Sequence, residues 1–244
     1  MTLIMAHRGS SGTHPENTLP AFAEAVRAGA DCIELDVHLT KDKHLVVIHD
    51  ESVERTTNGK GLVRELTLEE IKKLDAGSWF AKKYQATKIS TLQEVLNLLL
   101  QMQYRGILNI EIKTDKYHYP NIEIALSEVM QGGDWPFTYW YSSFNFESLR
   151  IMHEIEPEAQ LDLILKKSRS KVEAALDYDF IEGIHPSYEW VQENLALVGS
   201  YPKPIRPWAV NLYQSMIECM DLNVAGMFTD FPEKAHRVRS RIKR

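Results

Sequence analysis

A chain of 244 residues, 44% hydrophobic and 25% charged, can bury a sizeable core, and its length suits one α/β barrel better than two domains. A formal net charge of −6 without a basic stripe argues against a nucleic-acid partner, and Cys32 and Cys219 fit neither a disulfide framework nor a zinc pattern. The apolar start Met1–Ala6 is cut off by His7 and Arg8, too short for a signal peptide or a membrane span, so a soluble, cytoplasmic protein without stable membrane insertion is expected.

The first apolar run, Leu3–Ala6, ends in His7-Arg8-Gly9. Pro15-Glu16-Asn17-Thr18 then opens a helix expected over Asn17–Ala28, with Asn17 or Thr18 as its cap and Gly29 as its stop. A second run, Cys32–Val37, leads into two alternating stretches around a polar centre, which read as a hairpin turning at Asp42-Lys43. Such a turn sets Lys41 opposite His44 and Asp36 opposite His49, and opposed residues on antiparallel strands share a side. Residues 50–90 are then an insertion, long enough to roof a site, whose Trp79 and Phe80 form either a small local core or a lid. The next helix, over Thr91–Met102, opens with a capping box of Thr91 and Glu94. Further runs at Ile107–Ile112, Thr138–Ser142, Leu161–Leu165, Phe180–Ile184, Ile205–Val210 and Gly226–Phe228 alternate with helical stretches. Those helices are placed near Ile122–Met130, Phe146–Ile155, Ser170–Leu176, Glu189–Val198 and Ser215–Met220. Eight strand-like runs interleaved with helices predict a single (β/α)8 barrel over residues 1–244, with 50–90 as a small insertion subdomain after the second strand.

Barrels place their chemistry at the carboxyl ends of the strands. There the second strand carries Glu34 and Asp36, two apart and so on one face, and the third carries Glu111 and Lys113 in the same relation. One acid at a strand end is more often solvated or salt-bridged. Three of them between Ile33, Leu35, Val37, Ile110 and Ile112 repel one another in an apolar frame unless a cation joins them. All-oxygen donors favour a hard ion, Mg²⁺ or Ca²⁺, so Glu34, Asp36 and Glu111 are the expected metal ligands. His7 and His49 on the same rim supply an acid and a base near neutral pH. Arg8 and Lys113 are read as clamps for anionic oxygens, with ion pairs to neighbouring acids as the mundane alternative. Glu16 either caps locally or points into the site, and Trp208 is pocket wall or core packing. His38 and His185 are set aside, the first as lying too far out and the second as lacking a reactive neighbour.

Taken together, these motifs resemble the glycerophosphodiester phosphodiesterase family in order and spacing. They are His7-Arg8-Gly9, Pro15-Glu16-Asn17-Thr18, Glu34-Leu35-Asp36-Val37, Thr40-Lys41-Asp42 and His49-Asp50, followed by Arg55-Thr56-Thr57 and Leu74-Asp75-Ala76-Gly77. Glu111-Ile112-Lys113, Ser143-Phe144, Trp208-Ala209-Val210-Asn211 and Thr229-Asp230-Phe231-Pro232 complete the set. The resemblance implies hydrolysis of a glycerophosphodiester to an alcohol and glycerol 3-phosphate, assisted by Mg²⁺ or Ca²⁺, with His7 and His49 as the acid–base pair. It leaves open whether water or the neighbouring glycerol hydroxyl attacks phosphorus, which head group is preferred, and whether the chain forms a homodimer. Lys43 departs from the family's turn glycine, Ser90 from its proline before Thr-Leu, and Asn223 and Ala225 from its Gly and Asp. Two rival readings remain: a lysophospholipase D, which needs an apolar mouth near Phe144 and Trp208, and a catalytically dead barrel that only binds phosphate esters.

Overall fold

The computed structural model describes residues 1–242. Along the chain, β1 (Leu3–Ala6) and α1 (Leu19–Arg27) precede β2 (Cys32–Leu39), β3 (Leu45–Val47), α2 (Leu68–Lys73), β4 (Ser90–Thr91), α3 (Leu92–Gln101) and β5 (Ile107–Ile112). Then come α4 (Ile122–Gln131), β6 (Thr138–Ser143), α5 (Phe146–Ile155), β7 (Gln160–Ile164), α6 (Arg169–Asp177) and β8 (Gly183–His185). The chain continues through α7 (Tyr188–Glu193), α8 (Leu195–Val198), α9 (Tyr213–Asp221), β9 (Gly226–Thr229) and α10 (Pro232–Ile242).

Parallel pairing runs from β9 through β1, β2, β5, β6 and β7 to β8. Residues 205–210 fill the gap between β8 and β9. Ile205 bridges Ile184, Trp208 bridges Ser187, and the Val210 N–H donates to the Phe228 carbonyl. Pro204 and Pro207 have no N–H to give, so the ladder there is broken and the stave is irregular. With it the ring has eight staves, a (β/α)8 barrel. β2 is buried over all eight residues because parallel strands are covered on both faces, by helices outside and packed side chains within.

The expected elements largely coincide with these, with four corrections. The sixth strand starts at Gly183 rather than Phe180, the stretch at Glu189–Val198 divides into α7 and α8 at Asn194, and α10 was not anticipated. Thr18 occupies the N-cap position of α1, but its hydroxyl donates to the Pro15 carbonyl and Asn17 points elsewhere, so neither side chain caps the helix. Thr91 and Glu94 do form the capping box of α3.

The hairpin differs in register. Leu39 pairs with Leu45, His38 with Val46 and Val37 with Val47, so Asp36 lies opposite Ile48 rather than His49. The cause is the turn: Lys43 adopts φ +67°, and three loop residues separate Thr40 from His44 instead of two. β3 continues the edge of β2 beyond β1, and β4 pairs antiparallel with it. Between them, Val46, Ile48, Val53, Val63, Ile71, Ala76 and Ile89 form a hydrophobic cluster separate from the main barrel core. Trp79 is 41% exposed and meets Phe80 edge to face, outside that cluster.

Candidate active site

The strand ends named above converge. Pairing of Asp36 with Glu111 across β2 and β5 sets their side chains on the same face, and Glu34 follows two residues earlier. One carboxylate oxygen each from Glu34, Asp36 and Glu111 lies within 4.8 Å of the others. They sit at a cavity of ≈ 460 Å³ whose wall includes His7, Arg8, Glu34, His49, Glu111, Lys113 and Trp208, while Asp36 lies fully buried behind it. The entry from β1 is a sharp double turn, with Arg8 at φ +56° and Gly9 at φ +74°. This turn aims the Arg8 N–H at Glu34 Oε2, 2.6 Å away. A side chain at Gly9 would collide with the Ala21 backbone at 2.7 Å, so α1 can approach only a glycine there.

Burial, reinforced by Asp36 and Glu111, pushes the Glu34 carboxyl well above its ordinary value. Glu111 is also raised, by burial and by Asp36, although Lys113 opposes the shift. Burial acts on Asp36 in the same sense, but His49, Lys113, Arg8 and a hydrogen bond from Asn17 Nδ2 (2.8 Å) outweigh it and hold that carboxyl ionised. Asp36 Oδ1 is buried without a hydrogen-bond partner. Three mutually repelling carboxylates with an orphaned oxygen, and no sulfur or imidazole among the donors, fit a hard divalent cation.

Both histidines are held by carboxylates. His7 Nδ1 lies 2.7 Å from Asp230 Oδ1, and His49 Nδ1 lies 2.6 Å from Asp50 Oδ1. An ionised carboxylate only accepts, so each imidazole donates from Nδ1 and keeps Nε2 as its unengaged nitrogen. Asn211 fixes Asp230 from behind: its Nδ2 donates to Asp230 Oδ2 at 2.6 Å, and its Oδ1 accepts from the Asp230 N–H at 2.9 Å. Burial and Arg8 push His7 below its usual value, against the pull of Asp230. His38 is also part of this frame. Its Nε2–H must donate to the His49 carbonyl (3.2 Å), which leaves Nδ1 to accept from the Tyr119 hydroxyl (2.8 Å). What directs His49 to the cavity is therefore the exit of the chain from the ladder after Ile48, tied by His38, and not strand pairing with Asp36.

Arg8 and Lys113 line the cavity and also pair with acids, Arg8 with Glu16 at 2.8 Å and Lys113 with Glu111 at 2.8 Å. Glu16 is off the cavity wall. Its carboxylate bridges Arg8 and Arg55, and Arg55 in turn holds Asp50, so its place is three contacts from His49. Trp208 is half-buried on the wall, edge to face with Phe144 and donating from Nε1 to the His185 carbonyl. His185 does have a reactive neighbour, contrary to expectation: Asp162 Oδ2 lies 3.3 Å away and is shared with Arg206. Asp230, Asp50, Asn211 and Arg55 are present in the motifs without an assigned role, and Asn17, expected as a helix cap, instead donates to Asp36.

The family model described as glycerophosphoryl diester phosphodiesterase matches residues 7–234. The chain belongs to that family. It is 39% identical to a glycerophosphodiester phosphodiesterase of Bacillus altitudinis over the whole of both chains. It is 41% identical to one of Caldanaerobacter subterraneus, over 95% of each. Among solved structures it resembles an Oleispira antarctica phosphodiesterase in complex with the product sn-glycerol-3-phosphate, with TM-score 0.88, 29% identity and coverage of 98% of this chain and 97% of that one. A glycerophosphodiester phosphodiesterase of Agrobacterium tumefaciens follows with TM-score 0.78 and 27% identity, over 96% and 99%. The protein is thus an enzyme of the phosphodiesterase class. Among the described residues no helix is long and apolar enough to cross a membrane.

Proposed function

We propose that the cavity hydrolyses glycerophosphodiesters to an alcohol and sn-glycerol 3-phosphate. Glu34, Asp36 and Glu111 would hold a divalent cation, Mg²⁺ or Ca²⁺, whose contribution when bound is to offset phosphate charge and polarise a phosphoryl oxygen. Arg8 and Lys113 add fixed positive charge beside the non-bridging oxygens, and burial in a water-poor wall strengthens that attraction. One of His7 and His49 removes the proton from the attacking oxygen through Nε2. The other returns a proton to the alkoxide as the phosphorus–oxygen ester bond breaks.

The observation that carries this reading is the pair of imidazoles on one cavity wall, each buttressed at Nδ1 by its own carboxylate beside three clustered acids. A single domain bearing residues 50–90 as an insertion completes the proposal, supported by the separate apolar cluster there. The test is release of glycerol 3-phosphate from glycerophosphocholine. EDTA should stop it and Mg²⁺ or Ca²⁺ restore it, and His7→Ala or His49→Ala should lower kcat by about 10²-fold or more while the fold survives. Either variant retaining more than a few per cent of the activity would defeat the role assignment.

A further inference from the structure

The cavity extends past the acids and histidines to a second wall built by the loop after β7 and the start of α6. Lys166, Ser168 and Lys171 stand there beside Phe144 and Asp115. The other lysines of this region are neutralised: Lys113 by Glu111 (2.8 Å), Lys116 by Glu51 (2.8 Å), and Lys167 by Glu189 and Glu193. Among the described residues, neither Lys166 nor Lys171 has a carboxylate within salt-bridge distance, and Lys171 Nζ donates only to the Phe144 carbonyl. Two ammonium groups against the single carboxylate of Asp115 leave this wall net positive.

Phe144 is the aromatic surface that this wall offers a quaternary ammonium, and it is already taken. Lys171 Nζ lies 5.5 Å and Lys113 Nζ 5.8 Å from its ring centroid, while Trp208 meets its edge. A choline group bound there would face the unpaired ammonium of Lys171 in place of a free aromatic face.

Resting on the phosphodiesterase reading above, we infer that Lys166 and Lys171 determine head-group specificity, and that they select a glycerophosphodiester whose leaving alcohol carries its own anionic group. The phosphate undergoing cleavage is held at the acids, and the second anion lies across the cavity against the two lysines. Partly exposed charge pairs of this kind are each worth a factor of a few, so the preference over a choline diester is about tenfold at low salt.

The test compares kcat/KM for bis(glycerophospho)glycerol, corrected for its two bonds, with glycerophosphoglycerol and glycerophosphocholine. The expected order is anionic, neutral, cationic, with the spread shrinking in 0.5 M salt. Lys166→Gln with Lys171→Gln should flatten the series, and Lys166→Glu should invert it. Equal or better use of the choline diester, or ratios unmoved in both variants, would overturn this inference while leaving the hydrolase reading intact. Failure to cleave any of the three would overturn the hydrolase reading and this inference with it.

Discussion

Asp230→Asn is the substitution whose outcome the hydrogen-bond geometry dictates most fully. Asp230 Oδ1 accepts from His7 Nδ1 at 2.7 Å and from the Ser11 hydroxyl at 3.1 Å, while Oδ2 accepts from Asn211 Nδ2 at 2.6 Å. Asn211 cannot turn over, because its own Oδ1 accepts from the Asp230 N–H and the Thr229 hydroxyl. An amide at position 230 must therefore give its oxygen to Asn211 and its NH₂ to His7. That forces His7 Nδ1 to accept and moves the imidazole proton to Nε2, the nitrogen through which the proposed proton transfer runs. As a base His7 is then blocked. As an acid it loses the carboxylate that opposes burial and Arg8, so its affinity for a second proton falls further.

The size of the effect follows from comparable carboxylate–imidazole pairs, in which an amide replacement costs between about 10² and 10⁴ in kcat. A thousandfold loss corresponds to about 4 kcal/mol of transition-state stabilisation. Folding should suffer less, since the shape is unchanged and one charge-assisted bond is lost, about 1.5–3 kcal/mol. Stopped assays of glycerol 3-phosphate release, alongside a urea melt, separate the two. If D230N kept kcat within threefold of the wild type, the tautomer reasoning and the role of His7 would both fail.

Three further outcomes are expected. Glu34→Gln removes one of three repelling buried carboxylates, so in EDTA the variant should melt above the wild type, and the rise in melting temperature on adding Mg²⁺ or Ca²⁺ should shrink; a lower melt with an undiminished cation response would contradict the metal assignment. Asp162 is pushed up by burial, but Arg206 and His185 draw it down to about 2 from an ordinary 3.8. Its contribution of about 2 kcal/mol is thus present above pH 3.8 and lost as pH falls through 2. Asp162→Asn should erase that segment of the acid-unfolding curve and leave Arg206 as an uncompensated buried charge, costing about 3–5 kcal/mol at neutral pH; an unchanged curve argues against the pairing. Lys43→Gly relieves a left-handed residue at φ +67° and should stabilise by about 1 kcal/mol, or about 2–4 °C in Tm, in differential scanning calorimetry; a fall would place the cost of the turn elsewhere.

The barrel was legible because parallel strands covered on both faces must be apolar throughout, which is why Cys32–Val37 and Ile107–Ile112 stand out as runs. For the same reason Glu34, Asp36 and Glu111 were conspicuous, being charges inside runs that should contain none. Other features depend on facts that a run does not carry. The hairpin register turns on whether Lys43 tolerates a left-handed conformation, and one added loop residue reverses the parity of everything after it. His185 looked isolated because Asp162, its partner, lies on the neighbouring strand rather than near it in sequence. α10 hides its periodicity among lysines and arginines, with Pro232, Ala235 and Val238 alone at the three-residue spacing of a buried stripe.

The partner of His7 illustrates the deeper reason. His7 and Asp230 are separated by 223 positions, yet each directly follows a paired residue, since Ala6 lies opposite Thr229 where β1 meets β9. That seam is where the first and last staves meet, so closing the ring and orienting His7 are one event. The three acids, by contrast, come from the adjacent strands β2 and β5 and need only one parallel pairing to assemble. An open barrel could therefore keep its carboxylate cluster and still lack a correctly held imidazole. Weakening of the β1–β9 seam should abolish catalysis while cation binding persists, because the two halves of the site draw on different parts of the fold.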